Sequence, residues 1–224
     1  MRSGTGVKIC GLTNGGDAEV ADAAGADYLG AVVSAGFGRS VPEAELEYVF
    51  GESRATRVIV TVNEPAPRAA ELAAAVGASV IQLHGEESRA EVEAVRALGP
   101  WRLWKAVRAR STDDITRVAE EVGDLVDGFV VEGWQRGIVG GGGVSLSLGP
   151  DEVRACVPRE LRFVLAGGLT PENVADAVAR FRPNVVDVSS GVERSLGLKD
   201  PERVRRFVHE ARRAANTTDR TRIE

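Results

Sequence analysis

The chain is 224 residues long, 43% hydrophobic and 27% charged, with a formal net charge of −5, enough for one large domain or two small ones with a sizeable core. Its mildly acidic, interspersed charges give no electrostatic reason to expect nucleic acid or an anionic membrane as partner. No run has the apolar length of a membrane span or a signal-peptide core, which makes the cytoplasm the expected compartment. The two cysteines, Cys10 and Cys156, and the two histidines, His84 and His209, are scattered, a pattern that argues against a structural zinc site or a disulfide framework and implies no metal.

Strand-length apolar runs alternate with helix-length segments. The first run, Val7 to Cys10, would place Val7 and Ile9 on one face and Lys8 and Cys10 on the other, and a lysine and a thiol suit a polar interior better than a hydrophobic layer. Asn14 to Ala24 reads as helix, Asp27 to Val33 as strand, Glu43 to Phe50 as helix, Arg57 to Val62 as strand and Ala66 to Val76 as an alanine-rich helix. Ser79 to His84 (strand), Ser88 to Leu98 (helix), Trp101 to Val107 (strand) and Asp113 to Val122 (helix) continue the period. Gly128 to Glu132 is a sixth strand and opens into a glycine-loaded loop, Gly133 to Gly149; Asp151 to Val157 is then helical. Arg162 to Ala166 (strand), Pro171 to Arg180 (helix), Asn184 to Val188 (strand) and Pro201 to Ala214 (helix) complete the pattern, and residues 215–224 read as a polar, frayed tail.

Strands alternating with helices imply right-handed crossovers and a parallel sheet. Eight such units in one domain over residues 1–214 fit a closed (β/α)₈ TIM barrel better than an open doubly wound sheet. The open sheet stays open as an alternative, although Gly11-Leu12-Thr13-Asn14-Gly15-Gly16 lacks the spacing of a dinucleotide fingerprint.

In a barrel the chemistry gathers at the carboxyl ends of the strands. Those ends hold Cys10, Val33 with the loop to Arg39, Gln82 and His84, Lys105, Glu132, Gly167-Gly168, and Asp187 with Ser189-Ser190-Gly191. Small residues after the last two strands let backbone amides approach a phosphate, so Gly167, Gly168, Ser189, Ser190 and Gly191 point to a phosphorylated small-molecule substrate. The competing reading is a pair of tight turns; Thr170 and Pro171 are expected to serve only as helix N-cap and first residue.

Val7-Lys8-Ile9-Cys10-Gly11-Leu12-Thr13, Ile81-Gln82-Leu83-His84-Gly85-Glu86, Leu165-Ala166-Gly167-Gly168-Leu169, Val186 to Glu193 and Gly197-Leu198-Lys199-Asp200 together resemble the phosphoribosylanthranilate isomerases, in that family's order and over nearly the whole domain. The resemblance implies a (β/α)₈ barrel and a cofactor-free Amadori rearrangement in tryptophan synthesis, converting N-(5-phosphoribosyl)anthranilate to 1-(2-carboxyphenylamino)-1-deoxyribulose 5-phosphate. The reaction needs an acid to protonate the furanose ring oxygen and a base to take the C2 proton. By resemblance Cys10 is the base, with Lys8 on the same strand face expected to favour its thiolate. The family's acid is an aspartate at the end of strand six, where this chain has Glu132; Asp127 stands at the wrong end of that strand. An extra methylene shifts a carboxyl group by more than an ångström, and about 1 Å of misplacement can cost on the order of a hundredfold in rate.

Further roles follow from the same resemblance. Arg39, in Phe37-Gly38-Arg39-Ser40-Val41, would hold the anthranilate carboxylate. Asp187 would face the amine, Gln82 and His84 would touch substrate or order the pocket wall, and Gly141 and Gly142 of the glycine loop would join the phosphate-binding set. Trp101 and Trp104 are expected to pack in or beside strand five, with Trp134 a candidate pocket wall. The expected assembly is a monomer or homodimer. The alternatives are a diverged relative acting on another phosphosugar amine and a non-catalytic barrel that binds a phosphate ligand.

Overall fold

A computed structural model describes residues 4–133 and 146–220. Its first half runs β1 (Gly6–Ile9), α1 (Gly15–Ala23), β2 (Tyr28–Val32), α2 (Glu43–Phe50), β3 (Thr56–Thr61), α3 (Ala66–Ala75), β4 (Val80–Leu83) and α4 (Arg89–Ala97). The second half runs β5 (Arg102–Ala109), α5 (Thr112–Val122), β6 (Gly128–Gly133), α6 (Pro150–Cys156), β7 (Arg162–Leu165), α7 (Val174–Phe181), β8 (Val185–Val188), a hairpin of β9 (Glu193–Ser195) and β10 (Leu198–Lys199), and α8 (Pro201–Arg220). Strands β1 to β8 pair in sequence order, all parallel, and β8 returns to β1. The sheet is a closed barrel, and the open-sheet alternative falls.

Strand alternation sorts the core into two layers. One set, Ile59, Ile81, Leu103, Phe129, Phe163 and Val186, packs against the helices in the larger apolar cluster. The other, Val58, Val80, Trp104, Val130, Val164 and Val185, fills the barrel interior with Tyr28, Ala106 and Ala166. Helix starts are written locally: the Asn14 side chain accepts from the Asp17 amide at 2.9 Å, and Ser88 with Glu91 forms a capping box on α4.

Two expected boundaries shift. Thr170 does not cap α7: residues Pro171 to Asn173 form a turn, the Thr170 carbonyl accepts from the Asn173 and Val174 amides, and the helix begins at Val174. Helix α8 does not stop at Ala214 but runs to Arg220. Its apolar stripe continues through buried Ala211, Ala214 and Ala215, and Arg212 bonds the carbonyls of Thr5 and Gly25 at 3.1 and 3.0 Å. Of the segment read as a tail, Ala215 is docked by this continuation, and an established helix propagates cheaply past its last anchor. Among the described residues no helix is long and apolar enough to cross a membrane.

Candidate active site

The interior positions change character toward the carboxyl end of the barrel. Below lie Val58, Val80, Trp104, Val130, Val164 and Val185; above, on the same strand faces, come Cys10, Gln82, His84, Glu132 and Asp187, which line one pocket with Val32, Val60 and Ala166. The loops after β1, β2, β7 and β8 bring Gly11, Arg39, Gly167, Gly168, Ser189, Ser190 and Gly191 to its rim.

On the β1 side, Lys8 and Asp187 are register partners across the closing seam, and the fully buried Lys8 Nζ donates to Asp187 Oδ2 at 2.7 Å. Among the described residues Asp187 Oδ1 is buried without a partner. Cys10 stands one interior position above Lys8. Burial pushes its thiol above the ordinary value, Asp187 adds to that push, and the opposing pull of Lys8 does not overcome it. Lys8 does pull the thiol toward the thiolate, as its place on the same strand face implies, while also holding Asp187, and burial outweighs that pull. Lys8 itself titrates above its ordinary value, because attraction to Asp187 and to Cys10 outweighs the cost of burial.

Room for the thiol comes from β2. A Cβ on Gly30 would lie 2.9 Å from Cys10 Sγ and 3.1 Å from Lys8 Cε. Gly11, at φ +67°, lets the chain leave β1 in a left-handed turn, and a Cβ there would meet Arg39 Cδ at 2.5 Å and Ser189 Oγ at 2.7 Å.

Across the pocket, Gln82 Nε2 lies 2.8 Å from His84 Nδ1, and His84 Nε2 lies 3.2 Å from Glu132 Oε1. With the Gln82 amide nitrogen as donor, Nδ1 accepts, and the matching tautomer has Nε2–H donating a hydrogen bond to Glu132 Oε1. No described residue bonds Glu132 Oε2. Gln82 therefore orders His84 in the pocket wall, and His84 touches the Glu132 side chain directly.

Arg39 is brought to the rim but not left free: Nε and Nη2 each donate to Glu193 at 2.7 Å, to Oε1 and Oε2. Lys199 Nζ donates to the same Oε1 at 2.9 Å and lies 3.3 and 3.4 Å from the Ser189 carbonyl and hydroxyl. Burial works to raise the Glu193 carboxyl, yet the bonds from Arg39 and Lys199 prevail and hold it below its ordinary range. Burial lowers Lys199 in turn. Sequence reasoning gave no role to Glu193 or Lys199; charged residues in a short segment otherwise built of small and apolar ones, Glu193-Arg194 and Lys199-Asp200, were the available signal.

The loops after β7 and β8 interlock, since a Cβ on Gly191 would overlap the Leu169 carbonyl oxygen. Lys105, one of the expected strand-end candidates, does not line the pocket. Lys105 is mid-strand and faces the helix side, donating to the Gly85 carbonyl at 2.7 Å and to Glu87 at 2.9 Å. Gly141, Gly142 and Trp134 lie outside the described residues. Trp104 is wholly buried in the interior and Trp101 packs against the outer cluster.

The sequence model of the N-(5'-phosphoribosyl)anthranilate isomerases matches residues 7–210. The chain belongs to the phosphoribosylanthranilate isomerase family. A relative named N-(5'-phosphoribosyl)anthranilate isomerase from Chromohalobacter salexigens is 38% identical over 206 residues, 91% of this chain and 92% of that one. The crystal structure of phosphoribosyl anthranilate isomerase from Thermotoga maritima aligns with TM-score 0.81 and 29% identity, over 93% of this chain and 98% of that one. A further isomerase structure, in complex with reduced 1-(o-carboxyphenylamino)-1-deoxyribulose 5-phosphate, aligns with TM-score 0.75 and 29% identity over the same shares.

Proposed function

We propose that the chain isomerises N-(5'-phosphoribosyl)anthranilate to 1-(2-carboxyphenylamino)-1-deoxyribulose 5-phosphate, a step of tryptophan synthesis, with Cys10 as base and Glu132 as acid. The observation that carries the assignment is the meeting of a buried thiol from β1 and a carboxyl group from β6 in one pocket, beneath a rim of small residues from the last two βα loops.

The steps follow from the groups present. Glu132, with Oε1 engaged by His84, gives a proton from Oε2 to the furanose ring oxygen; the C1–O bond breaks and the ring opens to a protonated Schiff base. Cys10, as thiolate, takes the C2 proton; the electron pair flows toward nitrogen and leaves an enolamine, which tautomerises to the ketone. Asp187 presents its unpartnered Oδ1 to the substrate amine. Gly167, Gly168, Ser189, Ser190 and Gly191 approach the phosphate with backbone amides. Arg39 pairs with the ring carboxylate through the N–H groups that Glu193 leaves unused.

The test is complementation of a tryptophan auxotroph lacking the isomerase, alongside turnover by the purified chain. Growth and turnover are expected for the wild type, and loss of both for Cys10→Ala and Glu132→Ala with phosphosugar binding retained. Turnover that survives both substitutions would overturn the residue roles; a wild type without turnover would overturn the activity.

A further inference from the structure

The pair formed by Arg39 and Glu193 joins residues 154 positions apart and is made at the pocket rim, with side chains only 14% and 7% exposed. A guanidinium carries five N–H donors and offers carboxylates two kinds of edge: a side edge of Nε with one terminal nitrogen, and an end edge of both terminal nitrogens. Glu193 takes the side edge with two parallel bonds of 2.7 Å. Among the described residues nothing takes the end edge, Nη1 with the second hydrogen of Nη2, which forms a planar fork matched to a second carboxylate.

Glu193 is itself pinned. Its Oε1 receives Lys199 Nζ as well as Arg39, Lys199 is fully buried, and the Lys199 amide is tied to Asp17 Oδ2 at 2.8 Å. The trio of Arg39, Glu193 and Lys199 carries a net single positive charge that a ligand carboxylate would neutralise. An unanchored arginine would have to give up rotamer freedom that is among the largest of any side chain in order to form such a pair; here that freedom is already gone.

We propose that Glu193 is the positioning residue for Arg39, and that by holding the guanidinium end-on it sets the pocket's selectivity for an aryl carboxylate over the same phosphosugar without one. The inference rests on the role given to Arg39 above. Glu193 touches no reacting atom; its effect passes through the geometry of the fork.

The experiment measures affinity by calorimetric titration for two probes, reduced 1-(o-carboxyphenylamino)-1-deoxyribulose 5-phosphate and its phenylamino counterpart lacking the ring carboxylate. The wild type is expected to prefer the carboxylated probe, and Glu193→Gln, which keeps the shape but replaces one acceptor with a donor, to reduce that preference about tenfold, the worth of one well-formed bond to a charged group. Lys199→Met, which leaves Glu193 free to swing, should reduce it in the same direction. A purely structural role would weaken both probes alike and leave the ratio unchanged, and that result overturns the proposal. So does a ratio that rises, which would make Glu193 a competitor of the ligand, or a wild type with no preference, which would remove Arg39 as the carboxylate anchor. Binding selectivity is read without turnover, so failure of the isomerase assignment shows separately in the turnover assay.

Discussion

Gly30→Ala tests whether the pocket is built around Cys10 as described. Gly30 is buried in β2, and the added methyl carbon would sit 2.9 Å from Cys10 Sγ, 3.1 Å from Lys8 Cε and 3.3 Å from Cys10 Cα. Ordinary contact starts near 3.4 Å, so the thiol must retreat by about 0.5 Å or β2 must shift. Lys8 cannot make way easily, being tied to Asp187 at 2.7 Å in a closed sheet. Overpacking of this size costs about 1–3 kcal/mol, which for a domain of this length lowers the melting temperature by roughly 2–12 °C. Misplacing a reacting group by about half an ångström, when about 1 Å can cost a hundredfold, predicts a loss of about tenfold in kcat. Steady-state kinetics and thermal melts read both numbers. Gly123→Ala is the control, since that glycine has φ −59° and no atom within 4 Å of an added Cβ. A Gly30→Ala variant with wild-type kcat and melting temperature would refute the reasoning, because it would mean that the thiol does not pack against Gly30.

Three further outcomes follow from the same geometry. Glu132→Asp withdraws the carboxyl group by about one C–C bond, roughly 1.5 Å, and opens the 3.2 Å contact with His84; kcat should fall on the order of a hundredfold, and a variant as fast as the wild type would show that the longer side chain is not matched to this pocket. The Cys10 thiol titrates above its ordinary value, so the thiolate is scarce near neutrality and grows with pH: alkylation of Cys10 by iodoacetamide, followed in a Cys156→Ser background, should accelerate through pH 9 without levelling off. Asp187→Asn removes a charge that raises the thiol and frees Lys8 to stabilise the thiolate; the alkylation curve should move to lower pH, and a shift the other way would contradict the electrostatic account.

Periodicity carried the fold because a parallel barrel repeats one local pattern, and period-two alternation told Lys8 and Cys10 from Val7 and Ile9 before any contact was known. The strand-end rule likewise brought Cys10, Gln82, His84, Glu132 and Asp187 together, since barrel geometry converts a position late in a strand into a place in one pocket. Pairings between distant strands were not legible. That Lys8 meets Asp187 depends on register at the closing seam, and the depth of burial that outweighs the pull of Lys8 on the thiol depends on how the barrel closes around Cys10. Arg39 looked free because its partner comes from a hairpin beyond β8, which no local pattern announces. The end of α8 was misread from composition: docking of Ala214 and Ala215 and the reach of Arg212 to the base of the barrel are tertiary effects.

The seam between β1 and β8 also bears on how the molecule is made. Lys8 and Asp187 lie 179 residues apart, and synthesis delivers the amino-terminal strand long before its partner. A chain halted short of β8 would carry Cys10 without Asp187, Glu193 or Lys199, and would expose the backbone edge of β1 with nothing to cover it. Such an edge is a template for another copy. One event, the docking of the last strand, therefore both silences that edge and completes the pocket, so that a truncated product is at once inert and prone to associate, and catalytic competence doubles as a report that the ring has shut.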